Sequence, residues 1–76
     1  MEMAFVLVTA ETGFQGEMLK NIKAIPEAQE AHIVSGVYDI IAKIETETMQ
    51  YLEYTINWKI RRQDKVRSIL TMIVSK

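Results

Sequence analysis

The chain has no cysteine, one histidine and one proline in 76 residues. Without cysteine no disulfide can form, and a lone His32 leaves no zinc-finger spacing, so the two common staples of a small domain are absent. With Pro26 as the only proline and 49% hydrophobic residues, the composition is that of a packed domain rather than a disordered or fibrous one. Long hydrophobic runs are also missing. Met3 to Val8 is the longest fully apolar stretch, far short of the roughly 20 residues of a membrane span, and no basic region precedes it as in an export signal. Nine basic residues against ten acidic give a net charge of −1, which lacks the basic footprint of a nucleic-acid binder. These absences point to the cytoplasm as the expected compartment, without a membrane partner.

What is present fits one domain, residues 1–76. A core of this size rarely supplies more than about 3–5 kcal/mol, so association with further copies is the remaining staple. Ala4 to Ala10 is apolar except for Thr9 and reads as a first strand. Met18, Leu19, Ile22 and Ile25 form one stripe of a helix over about residues 16–25, which Pro26 ends. Ala28–Val34 and Tyr38–Glu45 are strand-like runs joined through Ser35-Gly36-Val37, a short glycine-bearing connection that predicts an antiparallel hairpin. Thr46 to Arg62 carries Met49, Leu52, Ile56 and Ile60 at helical spacing, with Thr46 or Thr48 to cap it and Arg61 and Arg62 at its C-terminal end. Val66–Ser75 alternates with apolar residues on both sides and reads as a last strand.

The order βαββαβ predicts a ferredoxin-like α+β plait, a four-stranded antiparallel sheet with both helices on one face. Strands one and four are apolar on both sides, so the uncovered face stays hydrophobic and calls for a second chain. Phe5–Val8 and Ile69–Val74 are the expected contact, with Met72 or Ile73 pointing outward. Tyr51, Tyr54 and Trp58 fall opposite the long helix's apolar stripe and predict a further contact.

Motifs for chemistry are sparse. Lys59, Arg61, Arg62, Lys65 and Arg67 form a basic cluster that reads first as a solvated turn, with Asp64 beside it. His32 has no nucleophile pattern around it and reads as structural. Gly13 and Gly16 lack the lysine of a phosphate loop and the third glycine of a dinucleotide fingerprint. Asp39, beside the hairpin, would serve as a general base if desolvated, with no partner carboxylate fixed by spacing.

The segment from Ile25-Pro26 through Ser35-Gly36-Val37-Tyr38-Asp39 to Lys43 resembles the central signature of the effector-binding domain of the Lrp/AsnC transcriptional regulators. Val66–Val74 is similar to that domain's last strand. The resemblance implies an amino-acid-sensing module without catalytic residues, cofactor or metal, which dimerises through its sheets into an α+β barrel and assembles further, often to octamers. By position, Ser35, Gly36, Val37, Tyr38 and Asp39 would supply the hairpin part of an effector pocket between dimers, and Ser68, Leu70 and Thr71 the last-strand part. The family often has threonine where Ile69 stands and glycine where Lys65 stands. Strand one begins almost at Met1, so the chain resembles the stand-alone form of the domain, without the family's helix-turn-helix, and full-length regulators are expected partners. The alternative from fold alone is a small dimeric α+β-barrel enzyme of the monooxygenase or isomerase type, using His32 or Asp39.

A near-neutral chain read without a helix-turn-helix should not bind duplex DNA sequence-specifically by itself. In a mobility-shift assay at ~150 mM salt, where weak phosphate contacts are screened, no sequence-dependent complex is expected.

Overall fold

The computed structural model describes residues 1–75. Strand β1 (Glu2–Ala10) leads through helix α1 (Gln15–Lys23) to β2 (Ala28–Ile33), which turns into β3 (Ile40–Thr46). Helix α2 (Met49–Tyr54) continues as a π-helical segment (Thr55–Ile60) before β4 (Val66–Ile73). The four strands form one sheet in the order β2-β3-β1-β4, every neighbouring pair antiparallel. This is the ferredoxin-like arrangement expected from the element order.

Strand parity determines which face is core. Ala4, Val6, Val8 and Ala10 of β1 are buried, and the register sets Val8 beside Ile40, Val6 beside Ala42 and Ala4 beside Ile44 on the same face. Alanines there let the helices approach closely while the larger neighbours fill the space. Onto this layer α1 places Met18 and Ile22, and the second helix places Leu52, Ile56 and Ile60, all buried. Each fully buried branched side chain contributes roughly 1.5–3 kcal/mol.

The opposite parity stays open. Phe5 and Leu7 of β1 lie beside Met72 and Leu70 of β4 on one side, and beside Lys43 and Ile41 of β3 on the other. Leu70 and Met72 are 45% and 47% exposed although they sit on a sheet face. Val8 pairs with Ile69, Val6 with Thr71 and Ala4 with Ile73, so those three β4 residues share the helix side. Ile73, expected to point toward a second copy, therefore faces the other way, and Met72 keeps the outward role.

Several boundaries differ from expectation: β1 begins at Glu2 rather than Ala4, α1 ends at Lys23 before reaching Pro26, and β4 ends at Ile73 rather than Ser75. The hairpin connection comprises six residues, Val34–Asp39, rather than three, with Tyr38 and Asp39 outside β3. Thr46 ends β3 instead of starting a helix, and its hydroxyl donates to the Thr48 carbonyl at 2.7 Å. Thr48 is the N-cap, accepting the Tyr51 N–H at 3.1 Å. Beyond Tyr54 the helix widens, and the Arg61 N–H reaches the carbonyl of Ile56, five residues back, at 3.0 Å. Buried Thr55 donates its hydroxyl to the Tyr51 carbonyl at 2.9 Å, the back-bonding that loosens a helical ladder. Met49, expected in the buried stripe, is exposed, because Leu52, Thr55, Ile56 and Ile60 carry that stripe.

Removing the cap by Thr48→Ala should cost about 1 kcal/mol, and emptying the core position by Leu52→Ala about 2–5 kcal/mol. Urea unfolding checks both, with unchanged slopes expected for the two transitions.

Candidate functional site

The β2–β3 hairpin is tied down at its base by Asp39. Its N–H donates to the Val8 carbonyl at 2.9 Å, its carbonyl accepts the Val34 N–H at 2.8 Å, and its Oδ2 accepts the Ala10 N–H at 2.8 Å. One carboxylate thus satisfies the end of β1 where the ladder to β3 runs out. Gly36, at the tip, has φ of +151°, a conformation L side chains rarely adopt. Val37 beside it is 86% exposed. The tip is a projecting loop on an anchored base.

The last-strand residues expected beside the hairpin divide between the two faces of the sheet. Ser68 pairs with Thr9 and Leu70 with Leu7 on the open face, at the hairpin end and toward the middle. Asp39 meets the other side of β1, so Ser68 lies about two strand spacings away, roughly 10 Å. Thr71 belongs to the helix side, where it lines a cleft of about 230 Å³ with Glu53, Ile56, Asn57, Arg61 and Ile73. Its Oγ1 is buried without a hydrogen-bond partner. One protomer therefore does not close these residues into a single pocket.

A second cluster was not anticipated from the sequence. Glu27, just after Pro26, accepts the Tyr51 hydroxyl at 2.6 Å on Oε2 and the Lys59 ammonium at 3.0 Å on Oε1. Tyr51 also borders a cleft of about 430 Å³ that Glu45, Glu47 and Thr48 help to line. The Tyr51 hydrogen bond, followed by Lys59, holds the Glu27 carboxyl below its ordinary range, outweighing the opposing effect of burial. The same carboxylate raises the pKa of Tyr51 and that of Lys59, in each case chiefly through the hydrogen bond. Glu27 lies 24 and 32 residues from its two partners, and no local spacing connects them.

The three outward aromatics are as expected, and they are in line. Tyr51 and Tyr54 stack with centroids 6.1 Å apart, Tyr54 and Trp58 at 6.4 Å, and the Arg62 guanidinium lies 4.3 Å over the Trp58 ring. His32 projects from the open face and meets Glu30 Oε1 at 2.9 Å, a local partner in keeping with a structural role. The basic cluster is broken up: Lys59 is paired with Glu27, Arg62 stacks on Trp58, and Lys65 lies 4.4 Å over the Phe14 ring. Among the described residues no group of His, Cys, Asp or Glu is placed to hold a metal ion, and no helix is long and apolar enough to cross a membrane.

The model of the Lrp/AsnC ligand binding domain matches residues 3–76. The chain belongs to the Lrp/AsnC family. Among solved structures, FFRP-DM1 superposes with a TM-score of 0.96 at 37% identity, covering 99% of this chain and 100% of that one. A hypothetical protein of Pyrococcus horikoshii superposes at 0.94 with 37% identity, covering 100% of this chain and 92% of the other. An uncharacterized HTH-type transcriptional regulator of Pyrococcus abyssi is 29% identical over 73 residues, which are 96% of this chain and 46% of that protein. The chain thus spans about half the length of the curated relatives it matches. The Lrp/AsnC match makes it a regulatory ligand-binding domain, with the plait as its scaffold.

The Glu27 cluster predicts a pH dependence of stability. A carboxyl with a lowered pKa contributes stability above its ordinary value of 4.5 and loses it as pH falls through the folded-state value. Tyr51 and Lys59, raised from 10.0 and 10.5, contribute below those values and lose their contribution as pH climbs past the folded-state values. The stability gap between wild type and Glu27→Gln should therefore be widest between these limits and narrow on both sides, read as urea midpoints across pH.

Proposed function

We propose that this domain senses an amino acid and couples its binding to assembly, as a stand-alone member of the family working in the cytoplasm and not as an enzyme. The observation that carries the reading is the bare sheet face with Phe5, Leu7, Ile41, Leu70 and Met72 in register on an Lrp/AsnC domain. A second copy laid face to face would bury that apolar layer and give the small core its missing staple. Sheet-paired dimers would then assemble further, to as many as eight chains, alone or mixed with full-length regulators. Through such mixed assemblies the domain would modulate transcription or amino-acid metabolism.

The effector pocket belongs to the hairpin, Ser35 to Asp39, where two dimers meet. Gly36 lets the backbone approach a ligand, and the exposed loop amides would receive an α-carboxylate. Asp39 Oδ2 is occupied by the Ala10 N–H, leaving Oδ1 for an α-ammonium group. Ser68, Leu70 and Thr71 do not converge on the hairpin within one protomer, so any part they take is across subunits or through strand β4.

Thermal-shift screening against the twenty amino acids should find at least one that raises the melting temperature, since a ligand of the folded state adds RT ln(1 + [L]/Kd). For that ligand, Asp39→Asn should weaken binding by about 2–3 kcal/mol in isothermal titration. The amide oxygen of Asn can still accept the Ala10 N–H, so the fold and the dimer should survive. Equal affinity in the two proteins would remove Asp39 from the pocket, and no response to any amino acid would leave an assembly module alone.

A further inference from the structure

The outer face of the second helix carries a pattern that the sheet-face dimer does not use. Tyr51, Tyr54 and Trp58 follow one another at spacings of three and four along the helix and its π-helical continuation, with Glu47 just before the Thr48 N-cap and Arg62 just beyond the last turn. Tyr51, Tyr54 and Trp58 are 42%, 50% and 56% exposed, and they stack in a continuous row that ends under Arg62. Held against one another, these rings lose little side-chain freedom on docking, which favours a preformed contact surface. Glu47 borders the same cleft as Tyr51, so a carboxylate stands at one end of the row and a guanidinium at the other.

The row is chemically symmetric about its middle. Tyr51 and Trp58 stand three and four residues to either side of Tyr54, and Glu47 and Arg62 stand seven and eight residues away. A two-fold axis perpendicular to the helix at Tyr54 would therefore place Tyr51 against Trp58 of a second copy, Tyr54 against Tyr54, and Glu47 against Arg62 twice over. An isologous contact requires this self-complementarity, with one patch matching its own rotated image. We propose that this ladder is a two-fold interface between copies of the chain, with the two second helices antiparallel.

The occupant is another copy rather than a nucleic acid strand. Aromatic platforms for single strands run along positively charged grooves. Here Glu27 neutralises Lys59, Glu53 shares the helix with the ladder, and Glu47 stands just before its N-cap. One helix face is too small to hold free monomers together, since stable interfaces bury about 1,200–2,000 Å². The contact is suited to joining units that are already dimers, where two ladders act together. In that respect it rests on the sheet-face dimer proposed above, and it lies on the opposite side of the molecule, so the two contacts do not compete.

Charge exchange tests the register. Glu47→Arg and Arg62→Glu should each reduce the higher oligomer to a dimer in sedimentation velocity, because each sets like charges together at both ends of the contact. Combining both changes in one chain, or mixing the two single variants, should restore the higher oligomer, since opposite charges meet again. Trp58→Ala should also yield dimers, whereas Met72→Glu, on the sheet face, should yield monomers and so tests the sheet dimer separately. Wild-type dimers that assemble no further, or single variants without effect, would overturn the proposal, as would loss without recovery in both the double variant and the mixture. Binding of a fluorescent single-stranded oligonucleotide that disappears in Trp58→Ala would also overturn it, in favour of a nucleic-acid surface.

Discussion

Two helices can cover only one face of a four-stranded sheet, and β1 is apolar on both. Ala4, Val6, Val8 and Ala10 face the helices and are buried, while Phe5 and Leu7 face away beside Ile41, Leu70 and Met72. The chain cannot bury both layers by itself, and it has no cysteine for a disulfide and, among the described residues, no metal site to compensate. Leaving one layer in water forgoes a large part of the hydrophobic term in a domain of a size whose single core rarely supplies more than about 3–5 kcal/mol. The proposed assembly thus follows from strand composition. The hairpin, the ladder and the Glu27 cluster are all arranged around a unit with one apolar sheet face left uncovered.

The sequence conveyed the pieces governed by local periodicity. Alternation in β1 and β4, the Pro26 stop and the opposed stripes of the second helix were each visible within a few residues, and the element order followed. The outward row of Tyr51, Tyr54 and Trp58 was visible for the same reason. Parity relative to the core was not, since both sides of β4 are apolar and only its register against β1 puts Ile73 on the helix side and Met72 on the open side. The hairpin boundary also escaped, because Tyr38 suits a strand as well as a loop and the loop is fixed by Asp39 bonding to Val8 and Ala10.

The candidate site was legible as a motif and not as a geometry. Ser35 to Asp39 stand out by resemblance, yet the role of Asp39 in tying the hairpin to β1 depends on a contact 29 residues away. Glu27, Tyr51 and Lys59 gave no signal because nothing in their spacing links the end of the first helical crossover to the second helix. The π-helical stretch was equally hidden. It begins at buried Thr55, whose hydroxyl bonds to the Tyr51 carbonyl, and a threonine inside an apolar helix gives no sign in sequence of a change in helical pitch.

In the proposed reading, the placement of the hairpin couples binding to assembly. Asp39 is part of the sheet's hydrogen bonding and also the candidate partner of a ligand's ammonium group, so a ligand there acts on a residue already fixed to β1. A rigid anchor of this kind would not transmit a signal by moving. It would transmit by stoichiometry: a ligand touching two dimers favours the state in which both are present, and assembly in turn favours ligand by the same factor. Two isologous contacts on opposite faces of one chain would extend dimers into larger bodies, and the angle between their axes decides whether the ring closes and at what count. In the proposed reading a ligand bridging two dimers at the hairpin adds its binding free energy to the assembled state alone, so a rigid domain would report its effector through the degree of assembly rather than through motion.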